Sequence, residues 1–273
     1  MIQMKKIIIL LSVFVAINLN AQDSNNSTYD IEACEEARLQ CKEILGSKDE
    51  TRRKEFALEL IDEVKKTKDI KEKKCYLEIL RSCAKEESIA PLSSLLENLK
   101  IQEPVVEVLL KIDNAAADKA LTKDLSIYNR DLAANIIKRG KIDGFENQLI
   151  SWYYASSNET KRTISEALSY VGSKTSIKVL SRNVKDYKYT PGAALNNYSR
   201  LLNNLSIDEP KLVLEEATKF FKKANSSESK KGMLEAAKIL LSIDKPYGEK
   251  LIKKYIPKLG DDVKKSLSDL IAK

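Results

Sequence analysis

The chain has 273 residues, with 47 Lys and Arg against 40 Asp and Glu for a formal net charge of +7, and it contains no His. Without imidazole there is no Ser-His or Cys-His nucleophile pair, no His-bearing zinc site and no side chain whose ordinary pKa suits a general base near neutrality, which excludes large classes of hydrolase and metalloenzyme. Lys far outnumbers Arg and acids are interleaved throughout, a pattern of solvated helical surfaces more than of a nucleic-acid footprint.

The first residues, MIQMKKIIILLSVFVAINLNAQ, set Lys5 and Lys6 ahead of an apolar run from Ile7 to Leu19 and the small residue Ala21. That is the build of a secretory signal peptide, residues 1–21, cut after Ala21. An uncleaved anchor is the alternative, since Leu19 is a less typical residue at that distance from a cut than Ala, but the run is short for a bilayer span. The first Cys is Cys34, so no lipid-modified Cys follows the run, and no second stretch is long enough to cross a membrane. Export to a periplasm or beyond is the expectation. The mature chain keeps 252 residues and a formal charge of +5. Residues 22–30 read as a polar tether and residues 31–273 as one helical domain.

Asp30 is placed to cap a first helix over Ile31–Leu45, in which Cys34, Ala37, Cys41 and Ile44 recur at steps of three and four, with Gly46 as its stop. A second helix, about Glu50 to Lys66, carries Phe56, Leu60 and Val64, and a third, about Ile70 to Lys85, carries Cys75, Ile79 and Cys83. Helix pairs then recur, the clearest over Lys161–Asp186. There Ile164, Ala167, Leu168 and Val171 share one face, Gly172 is expected to end the helix in the left-handed C′ position, and Ile177, Leu180 and Val184 begin a second stripe. Leu96, Leu125, Tyr153, Val184, Phe221 and Ile256 fall in one slot of successive second helices, at spacings of 29, 28, 31, 37 and 35. Breakers lie between or at the start of helices: Pro91 and Pro104 in first turns, Gly140 and Gly144 around a turn, Pro191-Gly192 after a long connection, Gly260 before the last helix. No convincing period-two run appears.

These units, from about Lys71 to Lys258, resemble HEAT-like repeats of the short bacterial kind first named after bilin lyases. Their drifting length does not suit tetratricopeptide arrays. The resemblance implies an all-α, right-handed α-solenoid of roughly seven helix pairs, with second helices lining the concave side; a compact helical bundle is the alternative.

If helical, Cys34 and Cys41 stand about 10.5 Å apart along the axis, too far for a disulfide or a shared zinc ion. In an up-down-up array the first and third helices run parallel, so Cys34 would meet Cys75 and Cys41 would meet Cys83. Four buried free thiols are the other reading. Ser227-Glu-Ser-Lys230 and Ser242-Ile-Asp-Lys245 match S-x-x-K but sit where helices start or end and Ser is wanted as a cap. The acidic pairs Glu35-Glu36 and Glu215-Glu216 read as charged helical surface, and Asp261-Asp262 as a helix start. No catalytic, metal or cofactor site is expected.

Aromatics concentrate at Trp152-Tyr153-Tyr154. Trp152 and Tyr153 are expected in the core and Tyr154 in water, with Tyr187 and Tyr189 a second exposed candidate or a cover for the seam between repeats. Outward positions of the later second helices read Lys178, Arg182 and Lys185, then Lys219 and Lys222, then Lys250 and Lys253. Gathered in one groove, with Tyr154 at its edge, they would attract an acidic partner; the plain alternative is ordinary solvated lysine. The expected function is a non-enzymatic protein-binding scaffold of the cell envelope, with no nucleic acid and no membrane span. An envelope enzyme on the same scaffold, or a structural subunit of an envelope assembly, are the alternatives.

Overall fold

The computed structural model describes residues 31–188 and 191–272. The signal segment with its cut site, the 22–30 tether, the Asp30 cap and Tyr189 lie outside them. The described residues are all-α, with fifteen α-helices and no strand. In chain order these are α1 (Ile31–Ser47), α2 (Glu50–Lys66), α3 (Ile70–Cys83), α4 (Ile89–Ser93), α5 (Gln102–Ile112), α6 (Ala115–Thr122), α7 (Arg130–Gly140) and α8 (Glu146–Tyr154). There follow α9 (Asn158–Val171), α10 (Lys174–Asp186), α11 (Ala193–Leu205), α12 (Pro210–Ser226), α13 (Lys230–Ile243), α14 (Lys245–Tyr255) and α15 (Asp261–Ile271).

Helix starts follow from short polar side chains. Asp49, Asp69, Asn114 and Asn129 each accept a hydrogen bond from a backbone N–H in the first turn of α2, α3, α6 and α7, satisfying donors that have no partner inside the helix. Several stops differ from the expected ones. Gly46 lies inside α1, and the left-handed residue beyond the helix is Lys48, with φ 57°. Asp113, Lys141, Lys188 and Glu228 likewise take φ between 48° and 54° after helices. Gly172 is extended, with φ −77° and ψ 150°. Its glycine is required by crowding: a Cβ there would run into the Leu168 carbonyl oxygen and the Ser176 side chain. The third helix ends at Cys83, two residues early, because Ala84 turns to an extended conformation.

Helices that pack closely are either consecutive or next but one in the chain. The odd-numbered ones form an unbroken succession, α1 on α3, α3 on α5, and so on to α13 on α15. We call this succession the spine. Small residues let its backbones approach: α7 buries Ala133 and Ala134, α9 buries Ala167, and α13 buries Gly232, Ala236 and Ala237. The even-numbered helices dock against the spine more than against each other, only α4 with α6 and α8 with α10 packing closely. Their buried residues form single stripes, as with Val213, Ala217, Phe220, Phe221 and Ala224 of α12. Of the proposed slot residues, Val184 and Phe221 are buried within helices, and Leu96 and Leu125 are buried in the turn or 3₁₀ segment after one. Tyr153 and Ile256 are only half-buried, as is Trp152, so the aromatic core expected at 152–153 is partial.

Candidate functional site

Three places carry the chemistry of the described residues: the N-terminal cysteines, the spine's polar face, and the basic even-numbered helices near the C-terminus. In the first, α1 and α3 pack side by side with all four cysteines buried. Cys34 and Cys75 stand at disulfide distance, their Cα atoms 6.3 Å apart, and are bonded. Cys41 and Cys83 are buried thiols, and Cys83 donates to the Ile79 carbonyl at 3.7 Å. Burial pushes the Cys83 thiol up to about 12, with the Cys41 sulfur adding to the shift. The same end holds a buried cation. Arg53 donates from Nη1 to the Cys83 carbonyl at 2.6 Å and to Glu87 at 2.7 Å, and from Nε to Glu50 at 2.8 Å, which fixes α2 against the end of α3.

Polar contacts between helices run along the spine, a feature that no local pattern announces. Arg38 of α1 reaches Glu78 of α3 at 2.8 Å. Glu107 of α5 lies between Arg81 of α3 and Arg139 of α7, and Lys138 of α7 meets Glu166 of α9 at 3.3 Å. Arg200 of α11 donates to the Ser169 hydroxyl of α9 at 3.0 Å and stacks on the Tyr170 ring. Lys230 of α13 binds Asp262 of α15 at 2.5 Å. A second tertiary contact caps a helix from outside. Glu146, at the start of α8, accepts from the N–H and hydroxyl groups of both Ser173 and Ser176 at 2.6–3.0 Å, closing the N-terminus of α10. Burial raises the Glu146 pKa, but those hydrogen bonds outweigh it and hold the carboxyl below its ordinary range.

The cations singled out by sequence are all exposed: Lys178, Arg182 and Lys185 on α10, Lys219 and Lys222 on α12, Lys250 and Lys253 on α14. Lys219 and Lys253 are engaged by Glu216 and Glu249 of their own helices, at 2.7 and 2.9 Å. Tyr154 is 55% exposed and meets Tyr153 edge-on; the Tyr153 pKa is raised, first by burial and then by the nearby Asp186 charge. The helix that carries both tyrosines, α8, packs on α10. The structure does not stack α10, α12 and α14 closely on one another, each being carried by the spine helices beside it.

The sequence reading picked out seven cations of the later second helices, but not how sharply charge differs between the two sets of helices. From Asn158 onward the chain holds 23 Lys and Arg against 14 Asp and Glu. Within that half, α10, α12 and α14 carry twelve cations and four acids, whereas α9, α11, α13 and α15 carry eight and six. All twelve are exposed. The asymmetry is a property of the sequence itself, visible when charge is counted helix by helix instead of over the whole chain.

The remaining motifs are occupied in ordinary ways. Ser229 caps α13 by accepting from the Gly232 N–H, Lys230 is bound by Asp262, and Ser242 donates to the Ile239 carbonyl. An open cavity of about 400 Å³ beside this turn is lined by Lys188, Pro191, Ser227, Lys231 and Leu234 among others. Glu35 pairs with Arg38 and Asp261 with Lys264. Among the described residues no group of three or more Cys, Asp or Glu is placed to hold a metal ion, and no helix is long and apolar enough to cross a membrane. Comparison with protein-family models, curated proteins and solved structures finds no match to the chain.

Proposed function

We propose that the chain is an exported, non-enzymatic scaffold of the cell envelope, a right-handed α-solenoid of HEAT-like helix pairs that holds an acidic protein or peptide against α10, α12 and α14. The observation that carries this reading is the sorting of charge: twelve exposed cations against four acids on those three helices, beside near balance on the spine helices they dock on. A surface of one sign steers an oppositely charged partner and raises its association rate. Neighbour-only packing supports the array, since stacked repeats contact only their neighbours and present extended surfaces for other chains. The bonded Cys34–Cys75 pair supports an oxidising compartment, in keeping with the signal-like N-terminus.

The test is recovery of the mature, tagged chain from envelope extracts, beside a variant carrying Lys178→Glu, Arg182→Glu and Lys219→Glu. One stoichiometric acidic protein should accompany the parent at low salt and be lost from the variant, whose melting temperature should stay within a few degrees. Capture that survives the three reversals, or that does not weaken as salt rises, would remove α10 and α12 as the site.

A further inference from the structure

The two cysteine pairs between α1 and α3 are successive rungs of one ladder. From Cys34 to Cys41 is seven residues and from Cys75 to Cys83 is eight, so the rises along the two axes are about 10.5 and 12 Å. The mismatch of about 1.5 Å is small beside the range of Cα separations, about 4.4–6.8 Å, that a disulfide accepts, and the first rung sits at 6.3 Å. Both thiols of the second rung are buried on two helices that pack together; Cys83 donates to the Ile79 carbonyl of its own helix at 3.7 Å, and the Cys41 sulfur is near enough to raise the Cys83 pKa.

We infer that Cys41 and Cys83 close as a second disulfide when the chain folds in contact with a disulfide donor, an oxidised dithiol protein or a small-molecule disulfide. The Cys41 thiolate attacks one donor sulfur, the donor S–S bond breaks, and one donor thiolate leaves. The Cys83 thiolate then attacks the Cys41 sulfur of the mixed disulfide and expels the second donor thiolate. Two electrons and two protons pass from the cysteine pair to the donor, which is released as a dithiol protein or as two small-molecule thiols. Timing follows from burial. With the Cys83 thiol pushed up to about 12 and Cys41 raised as well, the thiolate fraction of Cys83 at neutral pH is on the order of 10⁻⁵. A donor also cannot reach either sulfur once α1, α2 and α3 have packed. The second rung thus closes during folding, and its state records whether a donor was present then.

The test refolds the full mature chain from the reduced, denatured state in a mixture of oxidised and reduced glutathione, then alkylates it in denaturant and maps linked peptides. Both bonds, Cys34–Cys75 and Cys41–Cys83, should be found, with no alkylated cysteine and four hydrogens fewer than the fully reduced chain. A parallel sample folded without a donor and exposed to oxidised glutathione afterwards should keep Cys41 and Cys83 alkylatable in denaturant. Refolded protein with one bond and thiols at 41 and 83, or with a Cys34–Cys41 link, overturns the inference. A Cys34→Ser/Cys75→Ser variant gives an independent reading, because the second bond should form without the first; a folded variant that keeps two thiols after oxidative refolding also overturns it.

Discussion

The odd-numbered and even-numbered helices are built from similar apolar stripes and do different things. Along the spine, helix meets helix from α1 to α15, charge is close to balanced, and ion pairs bridge one helix to the next at Glu78, Glu107, Glu166 and Asp262. The even helices of the C-terminal half dock on that spine without packing closely on one another, carry a strong excess of cations, and pair charge mostly within a helix, as Lys219 with Glu216 and Lys253 with Glu249. Pairs within a helix surface contribute only about 0.3–0.5 kcal/mol, so those cations do little for the fold. A charge excess that does not hold the chain together is available for something else.

The contrast can be broken most forcefully in the core. Leu168→Ala on α9, fully buried in the spine, should cost about 2–5 kcal/mol by loss of transfer energy and creation of a cavity. Leu251→Ala on α14, half-buried, should cost less than half as much. Denaturant unfolding of the two variants checks this, and equal costs would erase the distinction. Gly172→Ala is the next largest expected effect, a loss of about 1–3 kcal/mol, because the added Cβ collides with the Leu168 carbonyl and Ser176. If that variant is as stable as the parent, crowding is not what selects glycine there.

Smaller effects separate the two sets by electrostatics. Glu107→Gln removes the acid between Arg81 and Arg139 and should cost about 1 kcal/mol or less, shrinking as salt rises, whereas Glu249→Gln, acting within α14 alone, should be near neutral. Glu146 adds a pH signature. Its native pKa is depressed, so its contribution is fully present above the ordinary Glu value of about 4.3 and is lost as pH falls through the lower native value. Glu146→Gln should flatten the acid limb of a urea-midpoint against pH curve. An unchanged limb would show that the contacts at Ser173 and Ser176 do not favour the ionised form.

Much of this was legible along the chain because it is local. The boundaries of α2, Glu50–Lys66, follow from a capping Asp49 and a stripe at Phe56, Leu60 and Val64. Helical rise excludes a bond within α1, an up-down-up array pairs Cys34 with Cys75, and the structure holds those two at disulfide distance. Exposure of Tyr154 and of the seven cations also followed from stripe position. What was not legible depends on contacts across helices. Gly172 looks like a left-handed stop until the packing of Ser176 beneath it is seen, and Lys48, an unremarkable lysine, takes a left-handed turn two residues past Gly46, the expected stop. The Glu146 cap joins residues about thirty apart, beyond the reach of any helix-start motif. That the three basic helices are carried separately on a spine is likewise a property of packing. The expected cations were found at their positions, but their relation to one another was not in the pattern.

The shape of the particle tests the neighbour-stacked array most directly, and small-angle X-ray scattering on residues 22–273 measures it. A compact chain of that length has a radius of gyration of about 18 Å. An array whose helices pack only on neighbours one or two along predicts a value well above this and a distance distribution with a long tail. A radius near 18 Å with a symmetric distribution would mean a closed bundle, and would contradict the open face on which the proposed partner site depends.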